Sequence, residues 1–251
     1  MIDLKGKRIL VTGGSRGIGR ACCEIAARAG ARVAVGYRLE RPAAEAVVKA
    51  IVDNGGEAHC VAADLSDRGE AEMLVDDAAD TFGGLDVLIV NHGIWKGAPI
   101  DEMSDAEWDE MVGINLTGAF HVIRAAVPHL KKSGDGVIVN LSSTAGQRGE
   151  SGHSHYAATK GALISMTKSL AVELAPFGIR TNCVAPGWVD TDMSHDALEG
   201  PRREEIRSAI PLGRPGTAEE IAGAVVFMAS PMASFINGEV LNVNGGAVLC
   251  G

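Results

Sequence analysis

Arg8-Ile9-Leu10-Val11-Thr12-Gly13-Gly14-Ser15-Arg16-Gly17-Ile18-Gly19 is the stretch on which the reading of this chain turns. A short apolar run ends at Thr12, four glycines follow within seven residues, and residues 18–29 take up helical spacing. Glycines at a strand-to-helix junction let the chain turn tightly, and they let backbone N–H groups and the helix N-terminus approach a pyrophosphate. The spacing is Gly-x-x-x-Gly-x-Gly rather than Gly-x-Gly-x-x-Gly, and no Gly-Lys-Ser/Thr follows, so it is not a P-loop. A glycine loop alone can be a mere turn. At the first strand–helix junction of an alternating chain it predicts nucleotide binding.

That alternation continues outward from the loop. Strand-like runs lie at Arg8–Thr12, Arg32–Tyr37 and Glu57–Ala62, then at residues 86–91, 136–142, 179–185 and 239–243. Several are nearly continuous Val, Ile and Leu, as parallel strands covered on both faces require. Helical spacing separates them, as at residues 43–52 and 218–228. The pattern predicts an α/β fold: one Rossmann-type, doubly wound domain over residues 1–251, its seven-stranded, mainly parallel sheet covered by helices on both faces. Residues 187–217 lack a clear strand signal and read either as a mobile lid or as two surface helices.

With 251 residues, 46% apolar, the chain is expected to bury a large core. A formal charge of −9 argues against nucleic acid or an anionic membrane as its main partner. No apolar run reaches the roughly 18 residues of a membrane span. The N-terminal residues run straight into a strand pattern without a signal-like apolar region, which predicts a cytoplasmic protein. The five cysteines, Cys22, Cys23, Cys60, Cys183 and Cys250, include no CxxC pair and no zinc-like spacing. Neither disulfides nor a metal site are expected, and Cys22 and Cys23 read as small buried thiols.

The end of the second strand bears on which nicotinamide cofactor would fit. An acid there suits the ribose 2′-hydroxyl of NAD, and positive charge suits the 2′-phosphate of NADP. Here Gly36-Tyr37-Arg38 carries no acid until Glu40, and Arg16 would reach the same side. NADP(H) is therefore favoured over NAD(H), the alternative being that Arg38 is a solvated surface charge. Asp64, after the third strand, is placed to accept from an adenine amino group, or to cap the next helix with Ser66.

Tyr156 and Lys160 are four residues apart in a helical segment and share one face. An ammonium beside the phenol, with a positively charged nicotinamide, would favour phenolate and bring the tyrosine toward neutral pH. Such a tyrosine can exchange a proton with a carbonyl oxygen. The pair gains weight from Ser143, at the end of the fifth strand, and Asn115, in the preceding helix. Strand ends of such sheets open into one crevice, where Ser143 could hydrogen-bond a substrate oxygen as it gains charge.

Taken with Asn91-His92-Gly93, Pro186-Gly187, Thr191 and the closing Asn242-Val243-Asn244-Gly245-Gly246, these residues make the chain resemble a short-chain dehydrogenase/reductase along essentially its whole length. The resemblance implies hydride transfer between NAD(P)(H) and a carbonyl or alcohol, with Tyr156 as general acid/base. It implies that Lys160 lowers the tyrosine pKa and binds the nicotinamide ribose, that Ser143 orients substrate, and that Asn115 holds a relay water. Cofactor contacts are implied at Gly13, Ser15, Arg16, Gly17, Ile18 and Gly19, and at Tyr37, Arg38, Asp64 and Leu65. They are implied also at Asn91, Gly93, Tyr156 and Lys160, and at Pro186, Gly187, Val189 and Thr191, the last segment reaching the carboxamide. Homotetramers are the family's usual assembly.

Within the family the chain is most similar to 3-oxoacyl-[acyl-carrier-protein] reductases, so a small-molecule ketone or an acyl-carrier-protein thioester is the implied substrate. Gly134 and Phe177 stand where some such members carry arginine for the acidic carrier; Lys131 and Lys132 could replace only the first. An NAD-dependent sugar or alcohol dehydrogenase is the alternative, and a non-catalytic dinucleotide sensor a remote one. His92 replaces a more usual alanine and is expected to crowd the adenosine side or to point outward. His153 and His155 read as surface-loop residues or as part of the substrate mouth, and Trp95, Trp188 and Met193 as pocket walls or packing.

Overall fold

A computed structural model describes residues 2–249, so Cys250 lies outside the described residues. β1 (Arg8–Thr12) leads into α1 (Gly17–Arg28), β2 (Arg32–Tyr37) into α2 (Arg41–Asp53), and β3 (Glu57–Ala62) into α3 (Arg68–Phe82). Next come β4 (Val87–Val90), α4 (Asp105–Val112), a π-helical turn (Gly113–Thr117), α5 (Gly118–Ser133) and β5 (Gly136–Leu141). The short α6 (Thr144–Arg148) and long α7 (Ser154–Leu174) precede β6 (Ile179–Pro186). The chain continues through β7 (Val189–Asp190), α8 (His195–Glu199), α9 (Arg203–Ser208), β8 (Gly216–Thr217), α10 (Ala218–Ala229) and β9 (Val240–Val243).

Seven strands form one sheet in the order β3-β2-β1-β4-β5-β6-β9, and every pairing is parallel. All seven expected strands are present. Because side chains alternate across a strand, odd and even residues feed two separate cores. Ile9, Val11, Val33, Val35, Val87 and Ile89 pack under α1, α2 and α10. Leu10, Ala34, Leu88, Val90 and Ile138 pack against α3, α5 and α7 on the other face. Cys22 and Cys23 are buried small residues in the first of these cores, as expected.

Strand order reverses between β1 and β4, and there the C-terminal strand ends open a crevice. One expectation needs correction nearby. Asp67, not Asp64 or Ser66, caps α3, its side chain accepting from the Glu70 N–H. Asp64 instead accepts from the main chain and hydroxyl of Ser66, closing a local turn before the helix. Residues 187–217 hold two short helices, tied at the base by the two-residue pairing of β7 with β8. Leu198, Ile206 and Ile210 give this segment its own small core. Among the described residues no helix is long and apolar enough to cross a membrane.

Candidate active site

The glycine loop is held from beneath by β4. The Asn91 side-chain amide donates to the carbonyls of Thr12 and Gly13, at 3.1 and 3.0 Å. Thr12 Oγ1 accepts from the Asn91 main-chain N–H at 3.0 Å and pairs with His92 Nδ1 at 2.8 Å. Gly17 has φ +54°, in the left-handed region, and a Cβ on Gly19 would come within 2.1 Å of the Gly13 carbonyl. Both positions therefore require glycine. Arg16, at the N-cap of α1, makes no side-chain cap, so the first N–H groups of a twelve-residue helix are left for an anion.

His92 does not point outward; it lines the cavity between Asn91 and Gly93. Its ring turns inward, with Nε2 buried 3.0 Å from where a Gly118 Cβ would lie. Burial, then the Lys160 charge, push its pKa down to about 3, so the imidazole is neutral. Glycine at 118 makes room for it.

Ser143 stands at the N-cap of α6 and accepts from the Ala145 N–H at 3.1 Å. Tyr156 and Lys160 lie on α7, which is pinned to the end of β5 by Ser142 Oγ donating to the Lys160 carbonyl at 2.7 Å. A Cβ on Gly146 would lie 2.6 Å from the Lys160 carbonyl carbon, so α6 and α7 meet this closely only with glycine there. Lys160 Nζ donates to the Leu141 carbonyl at 2.9 Å and lies 5.8 Å from the Tyr156 ring centre. Burial pushes Tyr156 up to about 12, against a lowering by the Ser143 hydroxyl, and burial pushes Lys160 down to about 8. Desolvation is the largest influence on the tyrosine here, whereas the expected depression concerns a phenol beside both Lys160 and a positively charged nicotinamide.

Asn115 lies in the π-helical turn between α4 and α5, not in a regular helix as expected. Its amide is taken up by Ile94: Oδ1 accepts from the Ile94 N–H at 2.8 Å, and Nδ2 donates to the Ile94 carbonyl at 2.9 Å. π-turns recur at functional sites because they re-aim one residue out of helical register.

One cavity of about 380 Å³ joins these groups. Gly13, Ser15, Arg16, Gly17, Ile18, Tyr37 and Arg38 line one end. Asp64, Leu65, Asn91 and Gly93 line its middle; Ser143, Tyr156, Lys160, Pro186, Gly187, Val189 and Thr191 line the other end. Of the expected site residues, Gly19 and Asn115 stand behind the wall rather than in it. Arg38 Nη1 is 3.4 Å from Asp64 Oδ2, and Glu40, set aside in the sequence reading, also lines the cavity. The donors fit a dinucleotide: unclaimed helix N–H groups and two arginines at one end, and a buried ammonium with a tyrosine at the other.

Reasoning from sequence missed several supports. Ser194 Oγ donates to the Val189 carbonyl and accepts from the Thr191 N–H, shaping the turn after β7. A Cβ on Gly187 would lie 2.8 Å from Asn244 Cβ, so the closing Asn-Gly-Gly stretch backs the loop after β6. His155 is buried, not in a surface loop, and His153 stacks on Trp95. Phe177 and Gly134 sit before the N-terminal ends of β6 and β5, at the opposite edge of the sheet from Ser143. Lys131 Nζ lies 3.5 Å above the Phe177 ring, so a cation does occupy that place.

A family model described as "Enoyl-(Acyl carrier protein) reductase" matches residues 13–248. The chain is 41% identical over 240 residues to the 3-oxoacyl-[acyl-carrier-protein] reductase FabG of Staphylococcus aureus, covering 96% of this chain and 97% of that protein. It is 40% identical over 250 residues to the 3-oxoacyl-[acyl-carrier-protein] reductase of Synechocystis, covering 99% of this chain and all (100%) of that protein. Among solved structures, a short-chain dehydrogenase/reductase of Brucella melitensis, titled glucose/ribitol dehydrogenase, superposes with a TM-score of 0.93 at 38% identity, covering 99% of both chains. A short-chain dehydrogenase from Burkholderia cenocepacia in complex with NADP gives 0.93 at 39%, covering 97% of this chain and 98% of that one. With its Tyr156–Lys160 pair, glycine loop and all-parallel sheet, the chain belongs to the short-chain dehydrogenase/reductase family of NAD(P)-dependent oxidoreductases.

Proposed function

We propose that this chain is an NADPH-dependent reductase of a ketone or 3-oxoacyl group, with a single domain holding both cofactor and substrate, working as a homotetramer in the cytoplasm. The observation that carries the reading is the continuity of one cavity from Arg16 and Arg38 to Ser143, Tyr156 and Lys160. When bound, the nicotinamide supplies the hydride that the carbonyl carbon receives. Tyr156 donates its hydroxyl proton to the carbonyl oxygen, so ketone, hydride and proton together give the secondary alcohol. Ser143 hydrogen-bonds that oxygen as charge builds on it. Lys160 holds the nicotinamide ribose and, as an ammonium, stabilises the phenolate left behind. The Asn115 amide, occupied by Ile94, keeps the wall beside this route in place, and its part in a relay through water runs from that position.

At the other end Arg16 and Arg38 grip the 2′-phosphate, a reading supported by the NADP complex of the Burkholderia cenocepacia relative. A second reading, an NAD-dependent sugar or alcohol dehydrogenase, draws on Glu40, which lines the same end and could hold a ribose hydroxyl. Arg38→Asp separates the two. Tryptophan fluorescence titration of the wild type should give about tenfold tighter NADPH than NADH binding. The variant should move the NADPH/NADH ratio of kcat/KM toward NADH by about 100-fold, since charge-assisted hydrogen bonds to the phosphate are replaced by repulsion. Equal binding of both cofactors by the wild type, or an unchanged ratio in Arg38→Asp, would overturn the NADPH assignment.

A further inference from the structure

The mouth of the cavity carries groups that the hydride and proton steps do not use. Trp95 and Trp188 both line it and meet edge to face, ring centroids 5.7 Å apart. His153, outside the lining, lies flat on Trp95 with centroids 4.5 Å apart and planes 1° from parallel, which fixes the indole in orientation. The Trp95 indole N–H donates to Glu150 Oε2 at 3.2 Å. Glu150 also lines the cavity, and its side chain is 23% exposed. Its Oε1 stands 4.0 Å from His153 Nδ1, an ion-pair distance but outside hydrogen-bond reach, so that oxygen of a cavity-lining residue keeps accepting capacity to spare. The carboxylate is near enough to Tyr156 for its charge to oppose ionisation of that hydroxyl.

An ionised carboxylate accepts hydrogen bonds and cannot donate them. Largely buried against the Trp95 indole, it favours a ligand that brings a donor and opposes one that brings negative charge. Two of the neighbouring cations are engaged by other carboxylates. Lys96 is held by both Glu110 oxygens at 2.7 and 2.8 Å, and Arg202 by Glu205 at 2.9 Å. Arg148 is the exposed cation of the lining here, in a chain of net charge −9. The cation on Phe177 lies at the far edge of the sheet from the mouth.

We propose that Glu150, seated by Trp95 and flanked by Trp188, selects a free, compact ketone bearing a hydroxyl or ammonium donor near its carbonyl, and disfavours an anionic, carrier-bound acyl thioester. The inference rests on the reductase reading and narrows its substrate class. The two indoles supply flat apolar walls for the carbon skeleton, and the carboxylate supplies the orienting polar contact.

The test is steady-state NADPH oxidation with cyclohexanone, α-hydroxycyclohexanone and acetoacetyl-coenzyme A, for the wild type and Glu150→Gln. Glutamine keeps the shape and the acceptor for Trp95 but removes the charge. The wild type should favour the hydroxyketone over cyclohexanone by about tenfold in kcat/KM, less than a fully buried polar site would reach. In Glu150→Gln that preference should shrink to about threefold or less, and acetoacetyl-coenzyme A should gain about tenfold relative to cyclohexanone. Both ratios unchanged in the variant would overturn the inference while leaving the reductase reading intact. No NADPH oxidation by the wild type with any of the three would overturn the reductase reading, and this narrowing with it.

Discussion

Tyr156→Phe is expected to lower kcat for carbonyl reduction by about a thousandfold, within the range seen for loss of a general acid, while NADPH affinity changes no more than about threefold. On the proposed mechanism this hydroxyl, which lines the cavity beside Ser143 and Lys160, gives its proton to the reacting oxygen. Burial holds its pKa up at about 12, so throughout the neutral range it carries the proton that reduction consumes. The sign follows directly: a raised pKa favours the acid form, ready for reduction, and disfavours the phenolate that alcohol oxidation would need. Oxidation should accordingly rise with pH through the neutral range, whereas reduction should not depend on first ionising Tyr156. Phenylalanine keeps the ring in its packing and removes only the oxygen, so thermal stability serves as the control. Turnover near the wild-type value in a folded, NADPH-binding Tyr156→Phe would mean that another group or water delivers the proton.

How much of this site was legible beforehand depended on what kind of signal marked each part. The strands announced themselves because Val87–Val90 and the residues of β5 are buried on both faces, and a parallel sheet favours nearly continuous apolar runs there. The glycine loop was legible because Gly17 and Gly19 answer to backbone sterics, which act locally. Ser143, Tyr156 and Lys160 were legible as a spaced set. What escaped were properties set by partners remote in sequence. His92 turns inward because Gly118, 26 positions later, leaves it space, and no local pattern carries that. Asn115 falls in a π-turn that reads as continuous helix in sequence, since one wider turn barely disturbs the apolar period. The cap of α3 went to Asp67 rather than Asp64 because three candidate side chains crowd four positions, and the hydrogen bond to Glu70 decides among them. The proximity of Lys160 to Tyr156 is likewise visible in sequence, whereas the desolvation of both groups is not.

That desolvation makes Lys160 the site of a trade between function and stability. The residue is 5% exposed, and burial brings its pKa from 10.5 down to about 8. A lysine whose folded pKa lies below its unfolded value destabilises the fold while it is charged. The penalty is therefore full below about pH 8 and fades as pH rises from 8 toward 10.5, where both states lose the proton. At 1.36 kcal/mol per unit the charged form costs ~3 kcal/mol, and the hydrogen bond to the Leu141 carbonyl returns ~1 kcal/mol of that. Lys160→Met, which fills the same space without charge, should then raise Tm at pH 7 by about 5 °C, the shift that ~2 kcal/mol gives a chain of this size. The gap between variant and wild type should close as both are measured at increasing pH up to 10.5. Activity should move the other way, with kcat/KM down about a thousandfold and NADPH affinity weaker by about tenfold, since the ribose loses its ammonium donor and the phenolate its neighbouring charge. A variant that is inactive but less stable, by a margin that does not change with pH, would show that the ammonium is a structural tie and not a strained catalytic one. A variant that turns over normally would remove Lys160 from the mechanism altogether.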